Sequence, residues 1–443
     1  MAITNPLGAT AGGSNGRLTR AIGRFDLTAA LVNGVIGSAV FGMPATQAAL
    51  TGAWSPLVCL IAGAGVLMIV LCFAEVASRF REAGGPYLYV RESFGPLLGF
   101  QAGWLTFWTR ILSLAANLNV FVEYLAQVAP PLGSPLGRAS VMVAMMAVLT
   151  AINVLGVRAA TRTVDVFTVA KLAPLLLLIL LGLPRLRPEV LATQTVAQPD
   201  WTGAILLLMF AYGGFEAPLI PAGEAKDPRR DTAFALLTAL GVIAAVYTLV
   251  QLVIVGVVPH LAGTKAPVAA AFGVLLGPAG VSLAALAALV SVWGYSTGAV
   301  LQSPRLLYSM AERHELPPFL ASVHSRFRTP HVAIVVFAVL TTAIAVYGTF
   351  EATATLSAIV RLVTYGLTCA ALPALRLRRP HDAPGFRVPG APIVVPAAML
   401  FSLWLLGTRS FTQAWMLLVL VAAGFLLQRV SRRAAPPATA STV

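Results

Sequence analysis

Charge is scarce in this chain. Only 10% of its 443 residues are Asp, Glu, Lys or Arg, where an average soluble domain carries roughly 25%. With 58% of residues hydrophobic, a water-soluble globular fold could not cover its own surface. Cysteine is limited to Cys59, Cys72 and Cys369, each inside an apolar stretch. There it behaves as a small hydrophobe, which excludes a disulfide framework and a cysteine metal centre. The five histidines (His260, His314, His324, His331, His381) fall in loops or at helix ends and form no ligand cluster, so no metal site is expected. HExxH, GxxxxGK[ST] and GxGxxG are absent. No long polar segment leaves room for a nucleotide-binding or catalytic domain. An ATP-driven pump and an enzyme are therefore disfavoured, and no cofactor is expected. No apolar region precedes the first long block, so no cleavable signal peptide is expected.

What the chain does have is length in its apolar runs. A bilayer-spanning helix needs roughly 20 mainly apolar residues, and about twelve blocks meet that rule. They run approximately 25–46, 55–78, 96–127, 139–157, 163–184, 202–221, 232–258, 279–303, 331–349, 352–374, 392–408 and 412–428. They lack the alternation of barrel strands. The expected fold is thus all-α integral membrane, with disordered tails at 1–24 and 431–443.

Formal net charge is +14, but its placement argues against nucleic acid. With an even number of spans both termini share one side. Arg79, Arg81, Arg91, Lys226, Arg229, Arg230, Arg376, Arg378 and Arg379 fall on that side, whereas the other side keeps only Arg138, Arg185, Arg187, Lys265 and Arg409. This asymmetry places both termini in the cytoplasm and offers a surface to anionic membrane lipid.

Two blocks are irregular. The first contains Gly34, Gly37 and Gly42, and the sixth contains Gly213, Gly214, Glu216 and Pro218. Transport sites occur where spans are broken at matching positions of two repeats. Spans one and six match if the core is two five-helix units, 25–200 and 201–375, followed by two more helices in 376–430. Freed amides at a half-helix start favour a carboxylate, and freed carbonyls favour an ammonium. A zwitterionic small molecule needs both. Close helix packing is the competing explanation for each glycine cluster alone.

The stretches GVIGSAVFGMPA, LCFAEVASRFREAGGPYLYVRESFG, FAYGGFEAPLIPAGEAKDPRRD and SPRLLYSMAERHELPPFLASVHSRFRTP resemble the amino acid–polyamine–organocation (APC) superfamily, in particular its bacterial amino acid permeases. The resemblance covers most of residues 25–375. It implies a 5+5 inverted-repeat core with broken helices 1 and 6, two C-terminal helices and alternating access. It puts the substrate carboxylate on amides around Gly37, Ser38 and Ala39, and the amine on carbonyls near Val35, Ile36, Phe210 and Ala211. Gly214 would leave room for substrate, with Trp104 and Trp293 as candidate pocket walls. Ala39 departs from the family, which usually has glycine there; its Cβ narrows the approach and disfavours a left-handed backbone.

Charges inside spans are functional candidates, each costing about 2.5–3.5 kcal/mol on insertion scales. Lys171, in TVAKLAPLL, resembles a lysine whose ammonium takes the place of sodium in sodium-coupled relatives. Desolvation penalises a buried ammonium, so Lys171 is either a proton-coupling group or a structural tether between spans one and eight. Glu216 could gate, accept a proton or simply cap a helix. Arg110 could pair with Glu216 or Glu123, or meet an anionic substrate group. Glu75 and Arg79 have the spacing of a local ion pair, and Arg361 reads as structural. The leading reading is a secondary transporter of amino acids or related amines in the cell membrane, with protons as the expected coupling partner. Exchange, and a non-transporting receptor of the same fold, stand as alternatives; a membrane-embedded hydrolase lacks any paired catalytic constellation.

Overall fold

A computed structural model of the chain describes residues 23–80, 85–156, 162–217, 219, 228–380 and 384–434. Among these residues every regular element is helical. In chain order the α-helices are α1 Arg24–Val35, α2 Ala39–Thr51, α3 Ser55–Ser78, α4 Gly85–Phe94, α5 Pro96–Val128, α6 Pro135–Leu155, α7 Arg162–Gly182, α8 Pro188–Thr193, α9 Trp201–Ala211, α10 Pro228–Val257, α11 Pro267–Leu276, α12 Pro278–Glu312, α13 His331–Tyr347, α14 Phe350–Arg378, α15 Ala391–Gly407 and α16 Phe411–Ala434. Proline opens α5, α6, α11 and α12, where its missing N–H costs nothing and its fixed φ suits the first turn.

Seven stretches among the described residues are long and apolar enough to cross a membrane, so this is a multi-pass membrane protein. The first, Ala39–Ser78, runs α2, a short 3-10 turn and α3 together. Four further apolar helices are shorter: α9, α11, α13 and α15. α11 was not expected as an element of its own. The tails expected at 1–24 and 431–443 lie largely outside the described residues. At the near ends, α1 already begins at Arg24 and α16 continues through 431–434.

Burial divides centre from periphery. Two thirds of the most apolar windows of α5 and α14 are buried, but only 17% of that of α16. Phe411, Leu418 and Leu426 on α16 and Leu136 on α6 stand exposed, as lipid-facing side chains should. α5 and α14 pack against each other at the centre, α10 lies against α1 and α3, and α12 lies against α5 and α7.

Polar groups tie the helix ends together on one side. Glu75 is fully buried at the end of α3. It pairs with Arg79, as the spacing predicts (2.8 Å). It also takes a two-pronged bond from Arg376 of α14 (2.9 and 2.5 Å) and the Val388 amide (2.8 Å), which sequence spacing did not foretell. Removing one partner of such a pair strands the others. Glu75→Ala is therefore expected to cost roughly 3–5 kcal/mol of stability, read as a lower melting temperature in detergent. Unchanged melting would show that Arg79 and Arg376 need no counter-ion. Nearby, Tyr87 of α4 donates to Glu315 (3.0 Å), and Arg91 bonds both Tyr87 and Glu315 (2.6 and 2.9 Å). Burial, and the Glu315 carboxylate beside it, push the Tyr87 phenol above its ordinary value, which keeps it a donor.

Candidate functional site

The first span breaks where its glycines stand. α1 ends at Val35, Ile36 leaves the helix in an extended conformation, and α2 restarts at Ala39. The Ser38 hydroxyl does not cap α2 and has no hydrogen-bond partner among the described residues. Asn117 of α5 does part of that work instead: its Oδ1 accepts from the Ser38 N–H (3.0 Å), while its Nδ2 donates to the Ser113 carbonyl (2.7 Å). Gly37 lies beside it, so that an added Cβ would sit 3.1 Å from Asn117 Oδ1 and 3.4 Å from the Tyr295 ring. Ala39 lies in the first turn of α2, and among the described non-glycine residues positive φ is confined to His260, His314 and Arg328. The left-handed backbone that its Cβ would disfavour is thus not required there.

The second break follows α9. Gly213 and Gly214 leave the helix, and Gly214 has φ +111°, a conformation L side chains rarely adopt. Gly214 was expected to make room for a ligand. Its open side is instead filled by α1: a Cβ would lie 2.6 Å from the Gly34 carbonyl oxygen. Gly213 makes room for an arginine, since its Cβ would lie 1.4 Å from Nη1 of Arg361. That guanidinium, from α14, donates to the Phe210 and Met209 carbonyls (3.2 and 3.4 Å) and to Ser113 Oγ (3.1 Å). Glu216 closes the cluster. Its Oε2 accepts from the Gly214 N–H (2.9 Å) and the Tyr365 hydroxyl (2.8 Å). Its Oε1 faces Arg110 at 3.4 Å and Arg361 at 3.8 Å. Arg110 thus pairs with Glu216, while Glu123 pairs with Arg138. Pro218 lies outside the described residues.

Between the two breaks is a narrow pocket of about 10 Å³, room for about one water. Of the expected site residues it gathers Val35, Gly37, Ser38, Ala39 and Phe210, and it adds Ser113, Asn117, Tyr295 and Arg361. Phe210 packs edge-on against Phe350 (6.0 Å between centroids), and Phe350 lines a larger cavity of about 540 Å³. Thr46, Asn119, Glu123, Arg138, Lys265 and Glu351 stand on its walls among apolar residues. The Phe210–Phe350 contact thus joins a wall of the small pocket to a wall of the large one. The two tryptophans are elsewhere. Trp104 donates to the Leu420 carbonyl of α16 (2.9 Å) and packs over Gly424. Trp293 packs in the α5–α12–α13 cluster and does not line the pocket.

The carbonyls expected to receive an amine are already engaged. Lys171, fully buried, donates to Ile36 O (2.8 Å) and Asn33 O (3.1 Å). Its expected span-eight neighbours, Ser296 and Thr297, donate to carbonyls of their own helix. The Tyr247 hydroxyl of α10 lies between Ala211 O (3.1 Å) and Val35 O (3.3 Å), pinning one break to the other. Arg361 holds Phe210 O. Asn117, Tyr247 and Tyr365 escaped sequence reasoning. A usable signal existed: Arg110, Ser113 and Asn117 recur at one helical face of α5, and Ser357, Arg361 and Tyr365 at one face of α14.

The sequence that builds this site matches a known group. Residues 22–432 fit a family model described as amino acid permease. The methylthioribose transporter of Bacillus subtilis is 28% identical, covering 87% of this chain and 88% of that one. The serine/threonine exchanger SteT of the same organism is 26% identical over 89% and 92%. The Asc-type amino acid transporter 1 of Mus musculus is 30% identical over 82% and 72%. The chain belongs to the amino acid permease family, within the APC superfamily.

Proposed function

We propose that the protein is a secondary transporter of amino acids, working by alternating access through twelve spans in which α1–α2 and α9 with the segment after it are the paired broken helices. The single observation that carries this reading is the non-helical run at Ile36–Ser38, set against a small polar pocket beside the second break. The substrate carboxylate meets the amides of Gly37 and Ala39, where the start of α2 concentrates N–H dipoles, while that of Ser38 is held by Asn117 Oδ1. The Ser38 hydroxyl supplies a further polar contact. The Phe210–Phe350 pair closes the pocket toward the large cavity, which we take as the external vestibule because both termini are cytoplasmic in this reading. Lys171, bonded to the end of α1, couples protonation to the movement of that half-helix. SteT, an exchanger by name, supports obligatory exchange as the second reading.

Counterflow tests the carrier against a receptor. Proteoliposomes preloaded with an unlabelled amino acid mixture should accumulate labelled amino acid transiently above equilibrium. Saturable binding to the same protein without accumulation would assign it to a receptor.

A further inference from the structure

One face of α10 reaches both halves of the first broken span. Tyr247 and Gln251 stand four residues apart, so their side chains share that face, and both are buried. The Tyr247 hydroxyl has one proton for two carbonyls, Val35 at the end of α1 and Ala211 at the end of α9. Gln251 is fully committed. Its Nε2 gives one hydrogen to the Pro44 carbonyl inside α2 (3.1 Å) and the other to Ser55 Oγ at the start of α3 (2.8 Å). Pro44 is the weak point of α2, because proline lacks the N–H that would bond the Val40 carbonyl. A void of about 20 Å³ lies beside it, with Val40, Pro44, Gln47, Tyr247 and Gln251 on its walls. Gln47 Oε1, buried on that wall, has no hydrogen-bond partner among the described residues. Close packing therefore does not fix α2 on this side. The bond from Gln251 does, together with the bond from Gln47 Nε2 to the Ala204 carbonyl of α9 (3.1 Å).

From this we infer that Gln251 is a positioning residue for transport. Tyr247 holds the α1 side of the break and Gln251 the α2 side, so one face of α10 sets the angle between the two half-helices. Ala39 lies five residues before Pro44, about 7.5 Å along the helix, and a tilt of about 8° at the anchor moves its amide by about 1 Å. A hydrogen bond lengthened by about 1 Å is lost. The amides of Gly37 and Ala39 meet the substrate carboxylate in the carrier reading, on which this inference rests and which it deepens. Gln251 does not line the pocket between the breaks, so it acts on the substrate through α2. A Gln251 that only satisfied two buried acceptors would contribute to stability and leave substrate affinity alone.

The test is counterflow on the full-length protein with each of the twenty amino acids, labelled singly, taking KM and maximal rate for the fastest. Gln251→Met keeps the length of the side chain and deletes the donor. It should raise KM by about tenfold and change the maximal rate by less than about threefold. Ser55→Ala removes the other bond of the same amide and leaves the bond to Pro44 in place. It should lower the melting temperature but leave KM within about twofold of wild type. Gln251→Asn keeps an amide on an arm one carbon shorter. It should move KM in the same direction by a smaller factor, and it decides if Gln251→Met does not fold. An unchanged KM in the folded Gln251 variants, or a Ser55→Ala that raises KM as much as Gln251→Met, overturns the positioning role and leaves the carrier intact. Silence of folded wild type with all twenty amino acids overturns the carrier reading and this inference together.

Discussion

Gly213→Ala is expected to abolish transport, although it adds one methyl group. The new Cβ would stand 1.4 Å from Arg361 Nη1, 2.2 Å from Cζ and 2.7 Å from Nε. Nothing in that list is a flexible tip with somewhere to go. The guanidinium is buried and tied to Met209, Phe210 and Ser113, with Glu216 beside it. To admit the methyl, Arg361 must leave the end carbonyls of α9 uncapped and Glu216 short of one counter-charge. Breaking a buried ionic network of this kind costs roughly 3–5 kcal/mol, and the break it supports forms the pocket wall. Gly298, inside α12, is the control. It has open space around an added Cβ, so Gly298→Ala should be neutral or should stabilise by up to about 1 kcal/mol through helix propensity. Thermal melts and counterflow on the two variants measure the contrast. A double-mutant cycle assigns the cause: if displaced Arg361 is the reason, Gly213→Ala should cost far less in an Arg361→Met background. Gly213→Ala that melts and exchanges like wild type would sink the cluster as described.

The Arg361 contact shows where sequence reading stops. Apolar length alone set the bounds of α3 at 55–78 and of α5 to within a residue, because polar or turn-forming residues flank both. It placed the end of span eight near 303, yet α12 runs on to Glu312. Hydropathy marks where a helix leaves lipid; RLLYSMAE after that point carries a charge at each end but is still helix-forming. The first break was legible because Gly34, Gly37 and Gly42 cluster in an otherwise apolar run. The roles of the second pair were not. Gly213 and Gly214 are adjacent and chemically identical, yet one makes way for a side chain from α14 and the other for the backbone of α1. Only the three-dimensional neighbours separate them. The same holds for the amine-facing carbonyls. The sequence exposes them by breaking the helix, but which donors reach them depends on Tyr247, Lys171 and Arg361 arriving from α10, α7 and α14. Trp104 misled because an aromatic in a span advertises bulk, not direction; its indole N–H found a carbonyl on α16.

Lys171→Ala is expected to abolish accumulation driven by a pH gradient while leaving equal-concentration exchange in place. The side chain is fully buried in α7, and its ammonium holds two carbonyls that bracket the end of α1: Asn33 O at 3.1 Å and Ile36 O at 2.8 Å. These are terminal carbonyls, outside the helical ladder and at the negative end of the α1 dipole. The charge is therefore comfortable only while α1 stays where it is. Alternating access requires that half-helix to move, and any tilt of α1 away from α7 withdraws both acceptors together. An ammonium stranded in an apolar interior is costly. Releasing its proton relieves the cost, and each tenfold of coupling between protonation and conformation corresponds to about 1.4 kcal/mol. Alanine removes both the charge and the proton, so the conformational change loses its link to pH. Exchange at equal concentrations moves no net proton and can persist. Arginine keeps the charge but cannot release a proton at any relevant pH, so Lys171→Arg should also fail to respond to the gradient. The measurement is uptake into proteoliposomes with an imposed pH gradient, wild type beside both variants. A wild type indifferent to the gradient would make the protein an exchanger or uniporter, with Lys171 a tether for α1. A wild type that responds, alongside variants that respond equally well, would move the coupling site to another buried group. Glu216, at the second break and held by Arg110, Arg361 and Tyr365, is the group to substitute next.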